Sequence, residues 1–200
     1  MRRASATRTS KETNIAVTLN VDGVGKTAVK TGIPFLDHML TLLGTHGLCD
    51  LTVKATGDLH IDRHHTNEDV GLVLGQALDR ALADRKGITR FGLAYVPMDE
   101  ALARVVLDIS GRPKLILRDE RGKRSRHPFS SSAAYSWGDA EHFLESFVRT
   151  AKLTVHIDVL AGSDFHHTCE AVFKALGRAL EQATRIHPRI KGVPSSKGRL

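Results

Sequence analysis

One heptapeptide constrains this chain more than any other feature, because it occurs twice. Asp62-Arg63-His64-His65-Thr66-Asn67-Glu68 returns as Asp164-Phe165-His166-His167-Thr168-Cys169-Glu170, with five of seven positions identical at an offset of 166 − 64 = 102 residues. Each copy opens a segment of helical periodicity. On a helix, residues four apart lie one above the other, so His64 and Glu68 can grip one ion, as can His166 and Glu170. Adjacent helical residues diverge by about 100°, which sends His65 and His167 to a different ion. The spacing therefore predicts two related metal sites, each combining a His-Glu pair from one repeat with a single His from the other. Capping by Asp62 or Asp164 accounts for the acid that opens each copy but not for the repeated His-His and Glu.

The flanking segments repeat as well. A pair of strands is expected over about 12–31, around Asp22-Gly23-Val24-Gly25. A helix follows from Pro34, with Phe35, Met39, Leu42 and Leu43 on its apolar side, then a strand over Leu48–Ala55, then the first motif helix. That helix presents Val70, Val73, Leu74, Ala77, Leu78, Ala81 and Leu82 on one face. The second half replays the order. A strand pair is predicted around Pro97-Met98-Asp99-Glu100, a short strand over Lys114–Leu117, a helix over Asp139–Ala151, a strand over Leu153–Leu160 and the second motif helix. Gly71, Gly75 and Gly177 are costly inside helices unless helices approach closely there. The expected class is α+β: two tandem duplicated halves, 1–86 and 87–200, with four helices packed between two sheets. In register with the motifs, the first helix of each half offers His38 and His142, separated by 142 − 38 = 104. The predicted sets are His64, Glu68, His142 and His167 at one ion, and His166, Glu170, His38 and His65 at the other. Such nitrogen and oxygen donors suit zinc, iron or manganese and leave positions open on a six-coordinate ion.

Charge and composition narrow the alternatives. The chain carries a formal net charge of +7, which fits either nucleic acid or a phosphorylated small molecule. The basic stretch from Arg118 to Pro128 mixes in acids and has one aromatic nearby, so it reads as a solvated loop and no nucleic-acid partner is expected. No apolar run reaches membrane-spanning length. The Arg-, Ser- and Thr-rich start lacks a hydrophobic signal core, reads as an early strand, and leaves the cytoplasm as the expected location. Cys49 and Cys169 are expected to be reduced and structural. A dinuclear metallohydrolase would call for more bridging carboxylates than this His-rich set offers.

Arg8-Thr9-Ser10-Lys11-Glu12-Thr13, Phe35-Leu36-Asp37-His38-Met39-Leu40, His64-His65-Thr66 with Glu68-Asp69, Pro97-Met98-Asp99-Glu100-Ala101-Leu102, Ser110-Gly111-Arg112-Pro113, His166-His167 with Glu170, and Pro194-Ser195-Ser196-Lys197-Gly198 occur together and in order. In this the chain resembles the imidazoleglycerol-phosphate dehydratase family nearly end to end. The resemblance implies a ribosomal S5 domain 2-like fold and a homo-oligomer of 24 subunits, with two manganese ions per subunit held at interfaces. It implies as ligands His38, His64, His65, Glu68, His142, His166, His167 and Glu170, the set already reached from the repeat. It places substrate phosphate on Arg90, Arg112, Lys174, Ser195, Ser196 and Lys197, and Glu12 at the reacting carbons as general acid/base. The implied reaction dehydrates D-erythro-imidazole glycerol phosphate to imidazole acetol phosphate in L-histidine biosynthesis, without an organic cofactor. The proton lost sits beside the hydroxyl-bearing carbon and is not acidic in itself. Loss of the ring N–H gives an imidazolate that expels the hydroxyl, and in the resulting diazafulvene-type intermediate that C–H becomes acidic enough for a carboxylate. Departures from the family pattern are Asp164, Ser196, Asn67 and the long basic insertion. No phosphatase domain precedes the dehydratase within this length, so the fused bifunctional form is not expected.

Overall fold

The structure is a computed structural model that describes residues 2–119 and 135–200. Alternating apolar residues build its strands. In β2 (Thr13–Asn20) the side chains of Thr13, Ile15, Val17 and Leu19 face inward, and in β6 (Ala101–Asp108) those of Ala101, Ala103, Val105 and Leu107 do so. Together with β1 (Arg3–Thr9), β3 (Thr27–Lys30) and β4 (Asp50–Gly57), β2 forms a sheet of order β1-β2-β4-β3. The second sheet repeats this as β5-β6-β8-β7, with β5 at Phe91–Met98, β7 at Lys114–Arg118 and β8 at Thr154–Ala161. In both, the last two neighbours pair in parallel and the others antiparallel.

The expected strand pair around Asp22-Gly23-Val24-Gly25 is not a hairpin. β4 lies between β2 and β3, and the connection crosses the end of β4, where the Asp50 carboxylate accepts from the backbone N–H groups of Val24 and Lys26 at 3.0 and 3.1 Å. The hairpin of the first half is instead β1–β2, turning at Ser10–Glu12, and its counterpart in the second half is β5–β6, turning at Asp99 and Glu100.

Four helices fill the layer between the sheets. Helix α1 (Pro34–His46) has proline in its first turn, α2 (His64–Leu82) carries the first motif, α3 (Trp137–Ala151) starts from a Ser136–Asp139 capping box, and α4 (Phe165–Thr184) is capped by Asp164. A capping box satisfies two helix-end donors at once. Helix α2 lies on the first sheet and crosses α3, while α4 lies on the second sheet and crosses α1. The glycines make these crossings close. A Cβ on Gly75 would stand 2.5 Å from the Phe147 carbonyl oxygen and 2.8 Å from the Ala151 nitrogen; one on Gly177 would stand 2.6 Å from the Leu43 oxygen and 2.9 Å from the Gly47 nitrogen. The offsets, 177 − 75 = 102 and 147 − 43 = 104, match those of the histidines. One pseudo-twofold therefore relates the packing and the ligand-bearing residues together.

The apolar faces expected of α2 and α4 are buried throughout. That of α1 is rotated: Leu36 and Leu40 are fully buried, whereas Phe35 and Leu42 are only partly so. Phe35 is drawn instead into a ring cluster with Tyr135, Phe165 and His166. Cys49 and Cys169 are free and buried, and burial pushes both thiols up, Cys49 to about 11. Most of the basic insertion falls outside the described residues; Arg118, at its start, pairs with Asp158 at 2.7 Å. Among the described residues no helix is long and apolar enough to cross a membrane.

Candidate metal centre

The duplicated motifs deliver two trios of donor atoms. His38 from α1 joins His166 and Glu170 from α4, and His142 from α3 joins His64 and Glu68 from α2; within each trio the ligand atoms lie within 4.8 Å of one another. Each trio thus draws on both halves of one chain. The donor set, two imidazoles and one carboxylate without sulfur, fits a first-row divalent ion such as manganese, iron or zinc.

The trios differ in how tightly they are drawn together. Glu170 accepts from His38 Nε2 at 2.7 Å, His166 Nε2 at 3.0 Å and Lys174 Nζ at 2.6 Å. Burial alone would raise its pKa, but these three partners overcome that and hold it down to about 2. Glu68 is more open. His64 and His142, stacked with ring centroids 4.4 Å apart, stand 3.9 and 3.8 Å from its carboxylate, which accepts a hydrogen bond from Arg149 at 3.1 Å.

His65 and His167 join neither trio of their own chain. His65 Nδ1 meets Asp58 at 3.0 Å, and His167 Nδ1 meets Glu100 at 2.8 Å. A carboxylate on Nδ1 fixes that nitrogen as the protonated one and leaves Nε2 to bind an ion. The same contacts raise the pKa of both rings and lower that of Asp58; Glu100, held foremost by the backbone N–H of Asp164 and then by His167 and the backbone N–H of Ser163, falls to about 2. Glu12, in the β1–β2 turn, is exposed with its carboxylate 3.9 Å from His65 Nδ1.

The expected phosphate residues separate into two places. Lys174 sits beside the tight trio through Glu170. Arg90 lies at the other end of α4, its N–H donating to the Ala183 carbonyl, roughly 25 Å from His166 at about 1.5 Å per helical residue. There its guanidinium grips Asp108 at 2.7 and 3.0 Å and the Pro194 carbonyl at 2.8 Å, which ties down the segment carrying Ser195, Ser196 and Lys197. Arg112 follows Gly111, where an added Cβ would meet Leu200 at 2.7 Å, so it belongs to the same end. Asp58, Glu100 and Arg149 were not singled out from the sequence. Asp58 and Glu100 close strands in turns where acids are ordinary, and only Glu100, inside a quoted motif, carried a signal.

Comparison with known proteins points to one family. Residues 31–180 match the family model described as imidazoleglycerol-phosphate dehydratase. A protein of that name from Herminiimonas arsenicoxydans is 50% identical, with 100% of this chain and 98% of the relative covered. Another from Geobacillus kaustophilus is also 50% identical, covering 100% and 99%. Among solved structures, the enzyme from Staphylococcus aureus superposes with a TM-score of 0.80 at 37% identity, covering 92% of this chain and 99% of the other. That from Pyrococcus furiosus gives 0.81 at 36%, covering 97% and 99%.

Proposed function

We infer the working centre from one premise: the chain belongs to the imidazoleglycerol-phosphate dehydratase family, lyases of histidine biosynthesis. On this reading it converts D-erythro-imidazole glycerol phosphate to imidazole acetol phosphate using two manganese ions per subunit. Repeats 1–86 and 87–200 act as a single catalytic unit, inside a cytoplasmic homo-oligomer of 24 subunits.

The observation that carries this reading is that two three-donor sites and two further carboxylate-oriented histidines outside them occur in the same chain. His64, Glu68 and His142 would hold one ion, and His38, His166 and Glu170 the other. Each site is then completed by a neighbouring copy, His167 joining the first and His65 the second. The separation of Arg90, Arg112 and the Ser195–Lys197 segment from the trios supports the same arrangement, because one small phosphorylated substrate cannot span the length of α4. A neighbour's Arg90 and Arg112 supply planar forks for the phosphate, and Ser195, Ser196 and Lys197 add hydroxyls and a point charge. Lys174, beside Glu170, adds positive charge near the ring end.

When bound, the ions supply Lewis acidity toward the azole ring and a template for its orientation. The chain's own residues handle the proton. The hydroxyl departs as water with the proton released from the ring nitrogen; Glu12 then takes the proton from the neighbouring carbon and returns one to the ring, and the resulting enol tautomerises to the ketone. Glu12 stands beside His65, its carboxylate 3.9 Å from Nδ1, and an ion held at Nε2 of that histidine would keep the azole ring in the same part of the site. The test is to incubate manganese-loaded protein with imidazoleglycerol phosphate and follow the ketone. Glu12→Gln is expected to lower turnover at least about 100-fold with bound metal unchanged; full turnover in that variant would remove Glu12 from the mechanism.

A further inference from the structure

The two halves carry corresponding hairpin turns, at 10–12 and 99–100, beside the second histidine of their motif, and each turn bears an acid, yet the acids are used differently. In the second half Glu100 is fully committed, accepting from His167 Nδ1 at 2.8 Å, Asp164 N at 2.9 Å and Ser163 N at 3.3 Å. In the first half Asp58 takes over the imidazole, and the Glu12 carboxylate makes no hydrogen bond among the described residues. Only the backbone of Glu12 is tied, its N–H to Ser10 Oγ at 3.1 Å and its carbonyl to the Asp58 N–H at 3.1 Å. A free carboxylate on a turn has poor positional definition unless something fixes the turn.

That something is Asp69. It belongs to α2, and its buried carboxylate accepts a hydrogen bond from the buried Thr13 hydroxyl and lies 2.6 Å from Arg8 Nε. Thr13 and Arg8 sit on either side of Glu12, one on each strand of the hairpin, so a single carboxylate pins both strands to the helix that carries His64 and His65. In the repeat register Asp69 corresponds to Ala171 (171 − 69 = 102), which is fully buried and offers no such contact. The clamp therefore exists only in the half whose turn acid is free.

We propose that Asp69, acting through Thr13 and Arg8, is a positioning residue that sets the place of the Glu12 carboxylate relative to His65. The inference rests on the reading of Glu12 as the proton-transferring group. Catalysis is sensitive to such placement, since a shift of about 1 Å costs on the order of 100-fold.

The test is a double-mutant cycle on the manganese-loaded full-length protein, with kcat, KM, bound metal and assembly mass measured for each variant. Asp69→Asn is expected to lower kcat roughly ten- to a hundredfold while KM, metal content and mass hold, and to have no further effect in a Glu12→Gln background. Thr13→Val, which keeps the buried charge, is expected to show a smaller loss of the same kind, and Thr13→Ser to recover most of it. Equal losses from Asp69→Asn with and without Glu12 would overturn the proposal, as would loss of metal in step with activity in both Asp69→Asn and Thr13→Val. Full turnover in Glu12→Gln alone would instead strike the underlying reading of Glu12.

Discussion

The two donor trios come from one duplicated plan, yet they have settled into different electrostatic states. Around Glu170, two imidazoles and Lys174 converge on a buried carboxylate at hydrogen-bonding distance. Around Glu68 the imidazoles stand nearly 4 Å off, and the flanking cation is Arg149, a mostly exposed side chain. Duplication has preserved the positions of the ligand-bearing residues, because ligation depends on helix spacing. It has not preserved their surroundings, because the cations come from positions with no repeat counterpart: Lys174 falls on Leu72 and Arg149 on Thr45 in the first half.

The sharpest way to break this comparison is to delete each carboxylate in metal-free protein. Glu170→Ala strands the largely buried Lys174 and is expected to cost about 3 kcal/mol in urea unfolding. Glu68→Ala frees an exposed arginine and is expected to cost less than about 1 kcal/mol. Equal losses would mean that the tight trio is no better organised than the open one. The crossings beneath the trios should behave alike where the trios do not. Gly75→Ala and Gly177→Ala each press a methyl onto a backbone carbonyl, and each is expected to cost roughly 1–3 kcal/mol by thermal unfolding, with the two values close together. His65 and His167 test orientation alone. Asp58→Asn and Glu100→Gln are expected to weaken manganese retention about 10- to 100-fold in a chelator competition, with the larger effect at Glu100, whose carboxylate has three partners.

The mildest effect concerns acid. Glu170 has a folded pKa of about 2, below the unfolded value of about 4.3. Its contribution to stability is therefore present above the unfolded value and fades as pH falls toward the folded one. Metal-free wild type should lose stability over that window, and Glu170→Gln should lose less of it. Urea midpoints measured across the window decide the matter.

Much of this was legible in the sequence for a definite reason. The motif residues of α2 and α4, and the glycines of the crossings, follow from residue type and helical period, which are local quantities. His38 and His142 became visible only through the repeat register. What stayed hidden was tertiary. Nothing near Gly23 announces that β4 will separate β2 from β3, since strand partners are chosen by long-range pairing. The buried face of α1 departs from the helical stripe because Phe35 answers to an aromatic cluster at the helix start. Asp58 and Asp69 are single acids whose roles depend on what the fold brings beside them.

The insertion of β4 between two strands that precede it sets an order of events during synthesis. Until residues 50–57 have left the ribosome, β2 and β3 have no common neighbour, so the first sheet cannot zip up in the direction of translation. The β1–β2 hairpin and α1 must wait with an open edge between them, and a nascent chain halted near residue 48 should be far more open to protease than one halted past residue 86.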